Sequence, residues 1–361
     1  MSGVVTERGR LGGPAISPLW RVETSDAPLA LAFNGNGSLI AIAGGDGEIL
    51  VVDSSTGVVV ERWAGHACGT LDLAWSSSTG TLASVGQDGM VRFWKLGQDG
   101  AVEAALAAPE PATAEARRPM RPWAERVRWS RDGSVCATAA GPHAALWRAD
   151  GSLVRRYPPA PSTLSDLTWL PDGQRFSTVG YGGATVWHRD HDTPERRLTW
   201  KGSFLCHAWS PNERWMVAGM QESAVHVFEV RANKDFEMSG YPRKVRRVTF
   251  CEDGRRMATT GGLDTTVWNF AGAGPARTTP LSLGGHLLPV SDVAFFRSGL
   301  WLATAGEDGQ VLIWDLTISS KAAQGAGFIP APATQVQWHP QDRRVVSAHQ
   351  SGLVVGWPAL R

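Results

Sequence analysis

Two quartets of residues in this 361-residue chain share one spacing and contain the groups of an acyl-transfer enzyme. His66, Ser84, Asp88 and Trp94 stand at the same offsets as His286, Thr304, Asp308 and Trp314, with the hydroxyl 18 and the carboxylate 22 residues after the histidine. A hydroxyl, an imidazole and a carboxylate in hydrogen-bonding order can make a nucleophile. That chemistry needs the hydroxyl exposed beside an oxyanion site. Ser84 and Thr304 instead fall inside the runs LASVG and WLATAG, which read as strands.

Metal chemistry has weaker candidates. His188 and His191 flank a polar turn, HRDHD, and Cys206 and His207 are neighbours within a strand. Adjacent strand residues point to opposite faces, and neither pair has zinc-site spacing. Cys68, Cys136, Cys206 and Cys251 lie far apart with no CxxC, so no disulfide framework is legible. No GxGxxG, Walker A, HExxH or GxSxG stretch occurs. We therefore expect no catalytic residue, no metal and no cofactor.

The second quartet lies in Gly284–Asp315, which opens on Gly285-His286 and closes on Trp314-Asp315. Three alternating apolar runs, VSDVAF, WLATAG and VLIW, are separated by the turn signals Arg-Ser-Gly and Glu-Asp-Gly. One such meander cannot bury both of its faces and needs neighbours of its own kind. An aromatic closes the first run at Phe33, Trp75, Trp129, Trp169, Trp209, Phe250, Phe295 and Trp338. A second landmark ends the third run at Val52, Trp94, Trp147, Trp187, Phe228, Trp268, Trp314 and Trp357. Both sets give the same eight units, with most intervals in the low forties, the period of propeller blades.

With Gly-His and Trp-Asp ends at that period, residues 16–361 resemble the WD-repeat β-propeller family. The resemblance implies an all-β, eight-bladed propeller, with seven blades as the alternative. It also implies that each quartet is a buried hydrogen-bonded tetrad linking a loop, a strand and a turn. The other units depart from that pattern: Thr24 and Tyr241 stand at the histidine position of units one and six, and unit eight has Ser347 and Ser351 but no histidine there.

Every unit but the last is followed by a further strand, and Pro18–Glu23 reads as a strand without a unit. We expect the two to pair, so that the N-terminal strand closes the propeller and no long edge stays open. Residues 1–15 read as a flexible tail. After unit two, Val102–Leu106 suits a fourth strand and Ala107–Pro122 a mobile loop.

The 17 Trp fall mostly on the repeat landmarks, which points to packing between blades. A net charge of +1 implies no global pull towards nucleic acid or membrane. The sequence MSGVVTERGR lacks the apolar run of a signal peptide, and no stretch suits a membrane span. The expectation is a cytoplasmic protein.

The family resemblance implies a rigid, non-catalytic platform for protein–protein interaction within a larger complex. Two other readings are a propeller that binds nucleic acid or an anionic ligand, and an enzyme or small-molecule site in the central channel. Three residues before each first-run aromatic stand Ala30, Asp72, Arg126, Asp166, Cys206, Arg247, Asp292 and Gln335, a set that predicts ion pairs between neighbouring units. For the partner surface, the loops before first strands and the turns between second and third strands share one upper face. There Trp123, Arg126, Tyr181, Lys201, Arg243, Lys244 and Arg246 form a basic, aromatic arc over units three to six. Arginine and aromatics are the types that anchor interfaces, so the expected partner is an acidic, partly apolar segment.

Overall fold

The computed structural model describes residues 5–6, 9–10, 12–105, 121–297, 299–318 and 322–360. Their regular elements are β-strands, and no helix among them is long and apolar enough to cross a membrane. The chain divides into two packing units. One holds Thr24–Ser54 and Val58–Phe204; the other holds the residues up to Glu23, Ser55–Gly57 and the residues from Leu205 onward.

The first of these contains repeats one to four. Repeat one is Pro28–Phe33, Leu39–Gly44, Ile49–Asp53 and Val59–Trp63; repeat two is Thr70–Trp75, Leu82–Gly86, Met90–Trp94 and Val102–Ala105. Repeat three is Ala124–Trp129, Cys136–Ala140, His143–Trp147 and Leu153–Arg156. Repeat four begins with Leu164–Trp169. Second and third strands are apolar on both faces because each sheet is covered on both sides. Ala41, Ala43, Ile49 and Val51 of repeat one thus pack with Leu73, Leu82 and Trp94 of repeat two. Alanines facing a neighbour's tryptophan keep the layers interlocked at close spacing. Each isoleucine or leucine buried this way contributes roughly 1.5–3 kcal/mol.

The other packing unit is built alike. Repeat five continues with Trp215–Met220, Val225–Glu229 and Lys234–Met238, and repeat six is Val248–Phe250, Arg256–Thr259, Thr265–Asn269 and Leu281–Leu283. Repeat seven is Val290–Phe295, Trp301–Gly306, Gln310–Asp315 and Gly325–Phe328; repeat eight has Ala333–Trp338, Val345–His349 and Leu353–Trp357. The Glu307-Asp308-Gly309 turn needs its glycine, which sits at φ +81 with no space for a Cβ against the Ile329 carbonyl.

The expected N-terminal strand is present. Trp20–Glu23 runs antiparallel to Leu353–Trp357, with Trp20 opposite Gly356 and Val22 opposite Val354, and makes repeat eight four-stranded.

The expected eight separate blades require correction. The described residues form seven sheets of four or more strands, the count of the alternative reading. Strands of repeats four and five lie in one six-stranded sheet. The reason is local: Arg175–His188 and Pro194–Trp209 run on as long strands where other repeats break. Within the first of them Gly182 and Gly183 have positive φ, and Trp187 returns to hydrogen-bond Thr178.

Of the tail read over residues 1–15, residues 1–4, 7–8 and 11 lie outside the described residues. Residues 12–15 are bonded to repeat seven: Gly12 N–H donates to Gln310 Oε1 at 2.8 Å, and Pro14 O accepts from Ala326 N–H at 2.7 Å. The loop read over Ala107–Pro122 lies outside the described residues up to residue 120, and the strand before it is observed as Val102–Ala105.

Candidate functional site

The third-strand tryptophan of a repeat faces a hydroxyl on the second strand, because paired strands bring side chains of one face together. In repeat two, Trp94 Nε1–H donates to Ser84 Oγ at 2.8 Å, and Ser84 Oγ lies 2.8 Å from His66 Nε2. His66 Nδ1 is 2.8 Å from Asp88 Oδ1. Asp88 can only accept and Arg92, whose Nη1 lies 2.6 Å from the same Nδ1, can only donate, so that nitrogen is shared between the two ends of an ion pair. Repeat seven matches: Trp314 Nε1–H to Thr304 Oγ1 at 3.1 Å, Thr304 Oγ1 to His286 Nε2 at 2.8 Å, and His286 Nδ1 to Asp308 Oδ1 at 3.1 Å.

The carboxylates close these arrays differently. Asp88 also binds Arg92 at 2.6 Å and the Met90 N–H at 3.0 Å. Burial opposes its charge, but hydrogen bonds from His66 and Arg92 outweigh burial and hold its carboxyl well below the usual carboxylate range. Asp308 is almost sealed, its side chain 1 % exposed. It accepts from Leu287 N–H at 2.7 Å, Gln310 N–H at 3.1 Å and Gln310 Nε2 at 2.8 Å. Burial again opposes the charge, and the His286 bond leads the groups that lower its pKa. Ser84 and Thr304 are fully buried and bonded on both sides. Neither hydroxyl can meet a substrate, so both serve the fold.

Repeat eight, which lacks a histidine at the loop position of His66 and His286, supplies one from its second strand. His349 sits two residues after Ser347 on the same strand face, with Nε2 2.9 Å from Ser347 Oγ. Trp357 Nε1–H donates to that oxygen at 2.8 Å, and His349 Nδ1–H reaches Ala331 O at 3.2 Å. Burial pushes the His349 pKa down to about 4, against the raising effect of the Ala331 bond. In repeat six the hydroxyl of Tyr241 accepts from Trp268 at 2.9 Å and from Thr259 at 3.1 Å. Repeats three and four keep the tryptophan–threonine bond, Trp147 to Thr138 at 2.8 Å and Trp187 to Thr178 at 3.1 Å.

A second set of bonds ties neighbouring repeats. The first-strand tryptophans Trp75, Trp129, Trp169 and Trp338 donate to Ala32, Ala74, Arg128 and Ala294, each the residue before the preceding repeat's aromatic, at 2.9–3.0 Å. The polar set three residues before the aromatic also crosses repeats. Register shifts in six first strands end on Ala30, Asp72, Arg126, Asp166, Asp292 and Gln335. A bulge re-aims the side chain that follows it. Asp292 therefore accepts from Val336 N–H of repeat eight at 3.0 Å and from Arg247 of repeat six at 2.6 Å. Arg126 reaches Asp166 at 3.3 Å. Asp72 is held by Arg128 and by Val127 N–H at 3.1 Å. The sequence singled out Arg126 as the neighbour of Asp72 and passed over Arg128.

The family described as WD domain, G-beta repeat matches residues 57–95 and 277–315, the stretches that carry the two complete tetrads. The chain is 28% identical over 233 residues to WD repeat-containing protein slp1 of Schizosaccharomyces pombe, covering 60% of this chain and 45% of that protein. It is 28% identical over 114 residues to Target of rapamycin complex subunit wat1 of the same organism, covering 32% of this chain and 35% of the relative. The chain thus spans less than half the length of these curated relatives. The crystal structure of the C-terminal WD40 domain of Sif2 superposes with a TM-score of 0.75 at 13% identity, covering 97% of this chain and 99% of that one, a likeness of fold alone. The matched repeats, the relatives and the likeness of fold together support a WD-repeat β-propeller.

In this WD-repeat protein the sequence-predicted partner residues fall in both packing units. Trp123, Arg126, Tyr181 and Lys201 belong to the first, and Arg243, Lys244 and Arg246 to the other. Tyr181 is 67% and Trp123 47% exposed, and Lys201, Lys244 and Arg246 are exposed as well. Arg126 is half-buried in its ion pair, and Arg243 faces Glu307 at 3.9 Å. Among the described residues no group of three or more His, Cys, Asp or Glu is placed to hold a metal ion. The rings of His188 and His191 stack on each other, centroids 4.6 Å apart.

The sequence also passed over Arg92 and Gln310, which complete the carboxylate ends of the tetrads, and His349. A serine followed two residues later by histidine, ending a second strand, is the pattern that exposes the last of these.

Proposed function

We propose that this WD-repeat protein is a non-catalytic scaffold that holds protein partners in a larger complex, engaging an acidic, partly apolar segment through exposed cations and aromatics. The observation that carries this reading is the exposure of Tyr181 and Trp123. Large aromatics elsewhere in the chain serve the packing between sheets, and an aromatic left in solvent matches the anchors of interfaces. The Ser–His–Asp geometry supports the same reading, because its hydroxyls are consumed inside the fold. The relatives agree in kind: wat1 is named as a subunit of a complex.

The test is a pull-down with the triple variant Arg243→Glu, Lys244→Glu, Arg246→Glu and, separately, with Trp123→Ala/Tyr181→Ala, at low and moderate salt. Charge reversal is expected to reduce partner recovery most at low salt, where exposed charges are least screened, with the melting temperature unchanged. Equal recovery by both variants at both salts removes these residues from the interface. Recovery of RNA in place of protein transfers the site to the nucleic-acid reading.

A further inference from the structure

The turn between the second and third strands of repeat six offers two successive carbonyls to two different loops. Gly261 O accepts from Arg243 N–H at 3.0 Å, and Gly262 O accepts from Val290 N–H at 2.9 Å. Pro289 O in turn accepts from Glu307 N–H at 2.9 Å. The loop before repeat six, the turn within it and the loop before repeat seven are therefore fixed to one another through backbone bonds. Leu263 projects from the turn, and Leu287 and Leu288 from the following loop; the three are 39–49% exposed. A single exposed leucine is ordinary, whereas three on segments locked together make an apolar patch that folding does not use.

The loop before repeat six adds charge. Val245 is fully buried and donates its N–H to Met220 O at 3.2 Å. That anchor sets Lys244 and Arg246 on either side of it, both exposed and without an ion pair among the described residues. Among the described residues the Arg243 guanidinium has only the long contact to Glu307, with both side chains about half in solvent or more. Of the acids about the patch, Asp308 is buried and accepts the Leu287 N–H at 2.7 Å, Glu307 faces Arg243, and Asp264 accepts from Ser282 at 2.6 Å. Apolar surface and available cations thus meet on segments whose backbone is already ordered, which lowers the entropic cost of binding.

We infer that this part of repeats six and seven docks a partner-protein segment in which a bulky apolar side chain stands among carboxylates. The apolar side chain covers Leu263, Leu287 and Leu288. The carboxylates pair with Lys244 and Arg246 and take Arg243 from Glu307. The inference rests on the scaffold reading and names what the partner must present at this site.

The experiment selects a display library of random dodecapeptides on the full chain, and then measures a fluorescein-labelled peptide of the recovered consensus. Recovered sequences are expected to set Asp or Glu beside Leu, Ile, Phe or Trp. Leu263→Ser/Leu288→Ser and Lys244→Glu/Arg246→Glu are each expected to lose about tenfold or more in affinity. The charge variant's deficit is expected to shrink as salt is raised. Unchanged melting shows that the variants fold, as expected for exposed positions. The site is overturned if no peptide is recovered, if the consensus lacks either acids or apolar residues, or if the leucine variant binds as wild type. It is also overturned if a random single-stranded RNA oligonucleotide binds and displaces the peptide. If the peptide fails while charge reversal still abolishes partner recovery, the scaffold reading stands and the leucine platform falls. If both fail, the scaffold reading loses this surface altogether.

Discussion

Gly12 and Gln310 lie 298 positions apart and are joined by a 2.8 Å hydrogen bond from the Gly12 N–H to the Gln310 side-chain oxygen. The same amide donates from Nε2 to Asp308 Oδ2 at 2.8 Å, so the N-terminal segment is wired to the repeat-seven tetrad through one glutamine. A Cβ on Gly12 would stand 2.8 Å from the Gly285 carbonyl oxygen, and one on Gly13 the same distance from the Ala323 oxygen. The close approach depends on glycine.

Removal of residues 1–15, silent if they were only a tail, is therefore expected to destabilise the protein. It leaves Ala326 N–H and Gln310 Oε1 short of partners, at a cost of about 1–3 kcal/mol. Gln310→Ala is expected to cost a similar amount, and the double variant less than the sum, because the two changes break one network. Denaturant melts of the four proteins measure the coupling; strict additivity argues against the link.

The two tetrads are expected to respond unequally to loss of their carboxylates. Asp308→Ala orphans four donors in a sealed site, at about 3 kcal/mol. Asp88→Ala is expected to cost about 1 kcal/mol, because Arg92 keeps Glu103 at 2.6 Å and the site is partly open, with the Asp88 side chain 17% exposed. Both carboxyls have a lowered pKa in the fold. Their contribution is therefore complete above the ordinary value near ~3.9 and is lost as pH falls through the folded-state value. Chemical denaturation at neutral pH checks the order, and the gap to wild type is expected to narrow on strong acidification.

His349 contributes a pH dependence in a different window. Its pKa is 6.5 when unperturbed and about 4 in the fold, so below 6.5 the unfolded chain takes up the proton that the folded chain refuses. Stability is complete above 6.5 and declines as pH falls towards 4, by about 3 kcal/mol at most. His349→Gln is expected to be less stable at pH 7 and to show a flatter melting profile between pH 7 and pH 4.5. A variant as steep as wild type assigns the acid sensitivity elsewhere.

These residues show where the sequence was legible. Alternation and recurring aromatics are set by packing on both faces of each sheet, so the strands, the repeats and both tetrads could be read from it. The bulge before Asp72 and Asp292 leaves no compositional mark, because it shifts the register without changing residue types, and it decides whom those carboxylates bind. His349 escaped because it enters from the strand, whereas His66 and His286 enter from loops. Gly12 and Gly13 read as tail because glycine permits looseness and close approach equally. The merging of repeats four and five was hidden because the repeat period continues through Thr199–Phe204, where Gly202 is the one residue that weakens a strand and does not end it.

Trp20 and Gly356 supply the last prediction. Trp20–Glu23 is the fourth strand of repeat eight, and the Trp20 indole lies directly over Gly356, where an added Cβ has no space. Trp20 is buried, so Gly356→Ala must push a large ring off its site, at about 1–3 kcal/mol. Trp20→Ala loses the packing of the ring itself, at about 3–5 kcal/mol. The two together are expected to be no worse than Trp20→Ala alone, because with the ring gone the methyl group has space. Deletion of residues 1–25 goes further. It strips the strand from Leu353–Trp357 and leaves a row of open backbone groups, so aggregation or a large fall in melting temperature is expected. Light scattering during thermal melts of the four variants and the full chain distinguishes the cases. A deletion that melts like the full chain, or a double variant as costly as the sum of the singles, would show that this strand does not hold repeat eight together.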